Sequence, residues 1–273
     1  MDFSAFLASL SVIVPMLALA TLLELALPML QRPRAQRRRV ATNLGITALT
    51  LAWNGALTWA AAGVALALSL QGPGLMTQLG IPRVVQIAGG FIVLDFSFGY
   101  LAHRLLHAWP MLWRVHRVHH SDPFVDATTT FRNHPLEGLW RFLFLLVPTW
   151  LLGVPTEAVA LQRLLTGING VLEHANIRLW PPLDRALSLI WVTPAMHKVH
   201  HSRDPIETDS NYGNILSVYD RAFRSFTSVD RTRSVTYGLG DVDPRQADSL
   251  PKLLALPFLS RAEAGPVRSG QAA

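Results

Sequence analysis

The segment HRVHHSDP at residues 116–123 is nearly repeated as HKVHHSRDP at residues 197–205. Each places imidazoles at i, i+3 and i+4, positions that share one face of a helix. A further pair, His103 and His107 in HRLLH, is spaced four apart, so its rings stack one above the other on a helix. The reading is of one three-imidazole cluster at His116, His119 and His120 and a matching one at His197, His200 and His201. His103 and His107 help to close them. Three convergent neutral imidazoles supply most of one ion's ligands, and eight exceed what one ion can use, which implies two metals. All ten histidines of the chain lie between His103 and His201. Of the remaining two, His174 in EHANIR is assigned as a ligand, and His134 in RNHPLE either ligates or supports a ligand from outside.

Ligand type narrows the metal. Imidazole suits zinc, copper, iron and nickel, and an all-nitrogen set is too soft for magnesium or calcium. A structural zinc site usually includes cysteine, of which there is none, and a catalytic zinc commonly brings the glutamate of HExxH, which is absent. The surplus of histidines favours two iron ions. Asp95 lies eight residues before His103, about 80° away around a helix, and is expected to orient a ligand imidazole from behind. Glu137, Glu173, Asp204 and Asp209 stand beside the histidines as further acidic candidates.

The elements that position these residues are apolar. Half of the 273 residues are hydrophobic, only 15% are charged and the mean hydropathy is +0.28, which points to a membrane protein. Residues 3–27, 45–70 and 84–102 are each long enough to cross a bilayer. Between the first two, QRPRAQRRR at residues 31–39 carries five arginines, so that loop is expected inside and the N-terminus outside. The outer turn falls at QGPG, residues 71–74, and the chain re-enters the cytoplasm near residue 103, where the histidines begin. Residues 139–168 form another apolar block, interrupted by Pro148, Gly153 and Pro155, and read as a tight or re-entrant hairpin that returns His174 to the same side. Trp109, Trp113 and Trp140 are expected as interfacial anchors, and Arg104, Arg114 and Arg117 as partners of lipid phosphates.

This gives three regions: N-terminal transmembrane helices over residues 1–102, a catalytic region over 103–230 and a cytoplasmic tail over 231–273, frayed beyond residue 261. The fold class is an all-α integral membrane bundle of about four to five transmembrane or re-entrant helices under a cytoplasmic histidine-rich cap. The net charge of +6 is almost wholly arginine, with Lys198 and Lys252 the only lysines, and reads as topology-setting charge without nucleic-acid affinity. That composition points to a bacterial inner membrane.

The ordered series HRLLH, HRVHH and HKVHH after a membrane span resembles the fatty acid hydroxylase and sterol desaturase superfamily. The resemblance runs from about residue 95 to residue 226 and includes LWRVHRVHHSD, FRNHPLE, EHANIRLW and TPAMHKVHHSRDPIETDSNYGNILSVYDRAF. It implies a membrane-bound di-iron oxygenase that uses O2 to hydroxylate or desaturate a C–H bond of a lipid, a sterol or fatty acyl chain or related molecule. Asn211, Tyr212 and Asn214 match the stretch after the last box and are expected to shape the cap. The fatty acid 2-hydroxylase branch carries a third HxxxH box, whereas this chain has only His174 there. With no GxGxxG after a strand, no haem motif and no cysteine, electrons are expected from a separate NAD(P)H-linked carrier protein. A metal transporter would need ionisable residues along its spans, where Glu24 and Asp95 are nearly alone, and a membrane zinc hydrolase would need HExxH.

Overall fold

Helices account for nearly all of the regular structure in this computed structural model, which describes residues 3–33, 36–69, 74–243 and 247–259. Among them there is no extended strand, and only two isolated bridges, Pro28 with Ile177 and Trp191 with Leu216, pair backbone in β fashion. The long elements are α1 (Phe3–Ala26), α2 (Arg37–Ser69), α4 (Arg83–Leu94), α7 (Pro135–Leu152) and α8 (Thr156–His174). Between α2 and α4 lies the one-turn α3 (Leu75–Gln78). A π-helical turn, Asp95–Leu101, joins α4 to α5 (Ala102–Ala108), so that helical chain runs from Arg83 to Ala108. Helix α8 packs on α1 and α4, and α7 packs on α2 and α4.

Two helices, Arg83–Ala108 and Pro135–Leu152, are long and apolar enough to cross a membrane. Helix α7 leaves Leu139, Leu143, Val147 and Leu151 exposed, and α1 leaves Val14, Leu19, Leu22 and Leu25 exposed. Apolar faces of that extent fit a bilayer better than water. The second stretch was expected to begin near residue 45, but α2 begins at Arg37, eight residues earlier, because Arg39 and Asn43 have buried partners. Most of the expected outer turn at residues 71–74, Arg34 and the end of the tail beyond residue 259 lie outside the described residues.

The block at residues 139–168 folds as the α7–α8 hairpin. Pro148 does not break it. Proline lacks the N–H that would satisfy the carbonyl four residues back, and the Ser97 hydroxyl donates to that carbonyl of Phe144 at 2.8 Å instead. The break comes at Gly153, whose φ of 67° ends α7 in the left-handed region. A Cβ there would lie 2.4 Å from the Gly74 Cα, so the turn also requires close backbone approach.

The histidine boxes lie on α6 (Pro110–His120) and α10 (Pro194–His200), with α9 (Pro181–Leu187) leading into the latter. Both carry proline in the first turn, where its missing N–H costs nothing. A buried polar network fastens this cap to the helices. Arg39, 2% exposed, bridges Asp122 and Asp126, and Arg132 donates to Asn43 Oδ1 at 2.6 Å and Ser121 Oγ at 2.9 Å. Arg39 is thus a structural cation and not a free loop charge. Lys198 Nζ donates to the carbonyls of Val125 and, at 2.7 Å, His174, tying α10 to the end of α8. Asn211, at φ 55°, donates to Met196 O at 3.1 Å and Thr227 O at 3.0 Å, holding the chain after α10 in a left-handed bend.

Two further expectations are corrected. Trp113 is buried, with its ring 5.0 Å from that of His107, because α6 turns it into the cap and away from any interface. Arg117 is buried against Asp241, and Arg114 donates to the Pro257 carbonyl at 2.9 Å, so both hold the C-terminal segment. Arg104 donates to the Tyr100 hydroxyl at 3.0 Å. Leu253 and Leu256 pack with Ile46 and Val118, so the segment 247–259 is anchored to the core.

Candidate metal centre

Nine of the ten histidines converge, and they do so in two groups. His103, His107, His116, His120 and His200 form one; His119, His174, His197 and His201 form the other. Within each group one nitrogen per residue lies within 4.8 Å of all the rest. The division differs from the expected one cluster per box. Residues i and i+4 of a helix lie 40° apart, but i+3 and i+4 are separated by 100°. Sharing a face therefore does not mean sharing an ion. His116 and His120 join the group of five while His119 turns to the group of four. On α10 the assignment reverses, with His197 and His201 in the group of four and His200 in the other.

Hydrogen bonds fix which nitrogen faces inward. His103 Nδ1 lies 2.8 Å from Tyr212 O, His200 Nδ1 2.7 Å from Ser210 O and His174 Nδ1 2.7 Å from Gly170 O. A carbonyl only accepts, so each Nδ1 carries the proton and each Nε2 keeps its lone pair. His116 Nδ1 donates likewise to Glu137 Oε2 at 2.9 Å, and His107 Nδ1 to Asp209 Oδ1 at 3.3 Å. His120 Nδ1 faces Thr208 Oγ1 at 3.4 Å, whose own hydrogen goes to His200 O. Such outward partners orient metal-binding imidazoles and raise their basicity.

The inward atoms fit metal ions. His174 Nε2 lies 3.0 Å from His119 Nε2, 3.0 Å from His197 Nε2 and 3.2 Å from His201 Nε2, and His103 Nε2 lies 3.1 Å from His116 Nε2. Two nitrogens about 2.1 Å from one ion and at right angles to it lie about 3.0 Å apart. Nε2 of His107, His120 and His200 is buried with no hydrogen-bond partner, a costly state unless a cation satisfies the lone pair. Burial lowers the pKa of His116, His119, His120, His197, His200 and His201 well below the usual imidazole value and pushes His174 down to about 3. All seven are therefore neutral and ready to ligate at pH 7.

The other sequence candidates are placed as follows. His134 joins neither group: it caps α7, its Nδ1 accepting from Leu136 N at 3.2 Å while Nε2 faces Leu254 O at 3.3 Å. Asp95 does not reach an imidazole. Its carboxylate accepts from Leu216 N at 3.2 Å, because the π turn aims it at the segment after Tyr212, whose carbonyl holds His103. Glu173 lies 3.8 Å from His174 Nδ1 and 3.9 Å from His197 Nε2, steadied by Asn214 Nδ2 at 2.9 Å. Asp204 caps the turn at Pro205–Thr208 and belongs to neither cluster. The carbonyls of Tyr212, Ser210 and Gly170 went unrecognised, since backbone acceptors leave no mark in sequence. Arg141 and Arg163 were also missed, although charge inside the apolar block was a visible signal.

A cavity of about 220 Å³ opens from His103, His119, His174 and His197 into the helix layer. Its walls include Leu10 and Ile13 of α1, Leu57 of α2, Phe98 and Leu145.

Residues 87–225 match the fatty acid hydroxylase family. The chain belongs to that family. The fatty acid hydroxylase segment contains all nine clustered histidines and leaves α1 and α2 outside it. Similar proteins include an ornithine lipid hydroxylase of Rhizobium tropici, 33% identical over 58% of this chain and 46% of that protein. The alkylglycerol monooxygenase of Homo sapiens is 30% identical over 55% of this chain and 32% of its own length. That of Caenorhabditis elegans is 26% identical over 53% and 28%. The chain thus spans less than half the length of these relatives. No solved structure matches.

Proposed function

We propose that this fatty acid hydroxylase family member is a membrane-bound di-iron oxygenase that hydroxylates or desaturates a C–H bond of a lipid. The observation that carries the reading is the pair of buried histidine groups with Nε2 atoms converging at the end of an apolar cavity. The names of the similar hydroxylases and monooxygenases agree with it. Two irons held by these groups would supply O2 activation, chemistry that no side chain provides.

The chain's own residues do the rest. Neutral imidazoles fix the positions of the ions, and their Nδ1–H bonds to Tyr212, Ser210, Gly170 and Glu137 keep the rings from rotating. Histidines of both groups line the cavity, so a chain lying in it presents carbon to both. Apolar walls of α1, α2 and α7 exclude water and accept a lipid tail laterally from the bilayer. Helices α1, α2, Arg83–Ala108, α7 and α8 cross as an antiparallel bundle whose histidine-bearing ends meet on the cytoplasmic side of a bacterial inner membrane. Electrons arrive there from a separate NAD(P)H-linked carrier.

Metal analysis of detergent-purified protein grown with iron tests the reading. Wild type holds two irons per chain, His119→Ala and His200→Ala each lose one, and the double variant loses both, because the two residues belong to different groups. One tightly bound zinc would instead indicate a hydrolase, and loosely held mixed metal a transporter.

A further inference from the structure

Charge inside the cavity follows a simple pattern. Of its lining residues, Arg141, Arg163, Glu137 and Glu173 are ionisable apart from histidine. Arg141 Nε donates to Glu137 Oε1 at 2.9 Å, so that cation is matched. Glu173 sits at the histidine end, held by the amides of Asn214 and, at 3.3 Å, Asn169. Arg163 has neither a hydrogen bond nor an ion pair among the described residues. Its one recorded partner is the ring of Phe98, 4.7 Å from the guanidinium carbon. The same ring is 5.9 Å from the guanidinium carbon of Arg141, so Phe98 is in reach of both cations.

A guanidinium in an apolar layer is costly and normally has an anion or a water-filled path. Arg163 lies in mid-helix on α8, directed at the cavity, where five donors in a planar fork suit a carboxylate or phosphate. Its separation from His174 is eleven residues, about 16 Å along the axis. Gly167 and Gly170 line the wall between them, where Ile13 and Thr130 pack close: a Cβ on Gly167 would lie 2.9 Å from Ile13 Cδ1 and one on Gly170 3.3 Å from Thr130 Cγ2, so any larger residue would narrow the cavity.

We infer that Arg163 is an anion-binding residue of the substrate cavity, and that the preferred ligand is a slender single-chain lipid with a terminal carboxylate or phosphate. The anionic group rests on Arg163, with Phe98 and Arg141 beside it, and the hydrocarbon extends along Gly167 and Gly170 toward the histidines. The carbon nearest the metal groups is then far from the head group. Only this last point rests on the oxygenase reading; the anion site stands on the cavity and the unmatched cation.

Equilibrium binding to the iron-loaded, full-length protein in a non-ionic detergent provides the test. Radiolabelled palmitate, hexadecyl phosphate and hexadecanol share one chain length and differ in the head. Wild type should bind at least one of the anions tenfold or more tightly than the alcohol, and which one identifies the carboxylate or phosphate as the source. Arg163→Gln should bring that anion to the level of the alcohol, and Arg163→Lys should restore part of the preference. Equal binding of all three probes by wild type overturns the proposal without any variant, as does an undiminished preference in Arg163→Gln at wild-type iron content. Iron and O2 consumption are measured on the same preparations. An Arg163-dependent anion preference in protein that takes up no iron would refute the oxygenase reading and leave the anion site in place.

Discussion

Removing the metal should make the cap sharply acid-labile. In the metal-free protein the seven histidines from His116 to His201 that join the two groups are buried, and burial lowers each pKa below that of the unfolded chain. A lowered histidine pKa means that the unfolded state takes up protons that the folded state refuses. Stability is therefore fully present well above pH 6.5 and falls as the pH drops through it. An unfolded histidine goes from half to about nine-tenths protonated across that unit, so each costs about 1 kcal/mol and seven together remove about 7 kcal/mol between pH 6.5 and 5.5. That is comparable to the whole stability of an ordinary domain, about 5–15 kcal/mol. Trp113, within 5.0 Å of the His107 ring and 5.4 Å of the His120 ring, reports locally by fluorescence. Chelated protein in detergent should show a denaturation midpoint that falls steeply through this range, with uptake of several protons on unfolding. Iron-loaded protein should resist to lower pH, since the ions compete for the same lone pairs. A metal-free midpoint unchanged from pH 7 to 5.5 would refute the account of a neutral, buried cluster.

Three sets of substitutions probe individual contacts. Glu137→Gln removes the carboxylate behind His116 and should weaken iron in the five-histidine group by about 10- to 100-fold, with the four-histidine group unchanged, so titration should resolve one tight and one weak ion. Ser97→Ala strands the Phe144 carbonyl and should cost about 1–3 kcal/mol; adding Pro148→Ala restores an N–H four residues on and should recover much of the loss, whereas simple additivity in thermal melts would exclude the link. Gly99→Ala places a Cβ 2.9 Å from Asp95 Oδ1 and should cost about 1–3 kcal/mol by overpacking, while Gly89→Ala, with nothing within 4 Å, should not destabilise. A lower melting temperature for the second glycine variant than for the first would contradict the packing described.

The spacing of the boxes was informative because ligand chemistry forces histidine into regular positions. HxxHH announces helical presentation, and nine of the ten imidazoles do converge. What spacing conceals is the partner: His119 and His120 are neighbours in sequence yet turn to different groups, since one step on a helix is 100°. The surroundings of His134 in the sequence allow either a ligand or a support for one, and only the α7 terminus shows that its nitrogens serve as a cap. Apolar length revealed the helices, but not that α2 starts at Arg37, where buried ionic contacts extend it beyond the hydrophobic stretch. Pro148 suggested a break that a hydroxyl on another helix repairs. Such long-range compensation has no local signature.

The exchange of one histidine between the two boxes has a consequence for biosynthesis. His103, His107, His116 and His120 emerge from the ribosome early, yet their group is completed by His200, while His119 and His174 await His197 and His201. Neither group closes until the last box has been translated and α10 has docked beneath the end of α8. A chain ending before His197 therefore presents four imidazoles of one group and only two of the other. On the proposed reading metal insertion is therefore completed late in maturation, and a prematurely terminated product is left without a complete centre.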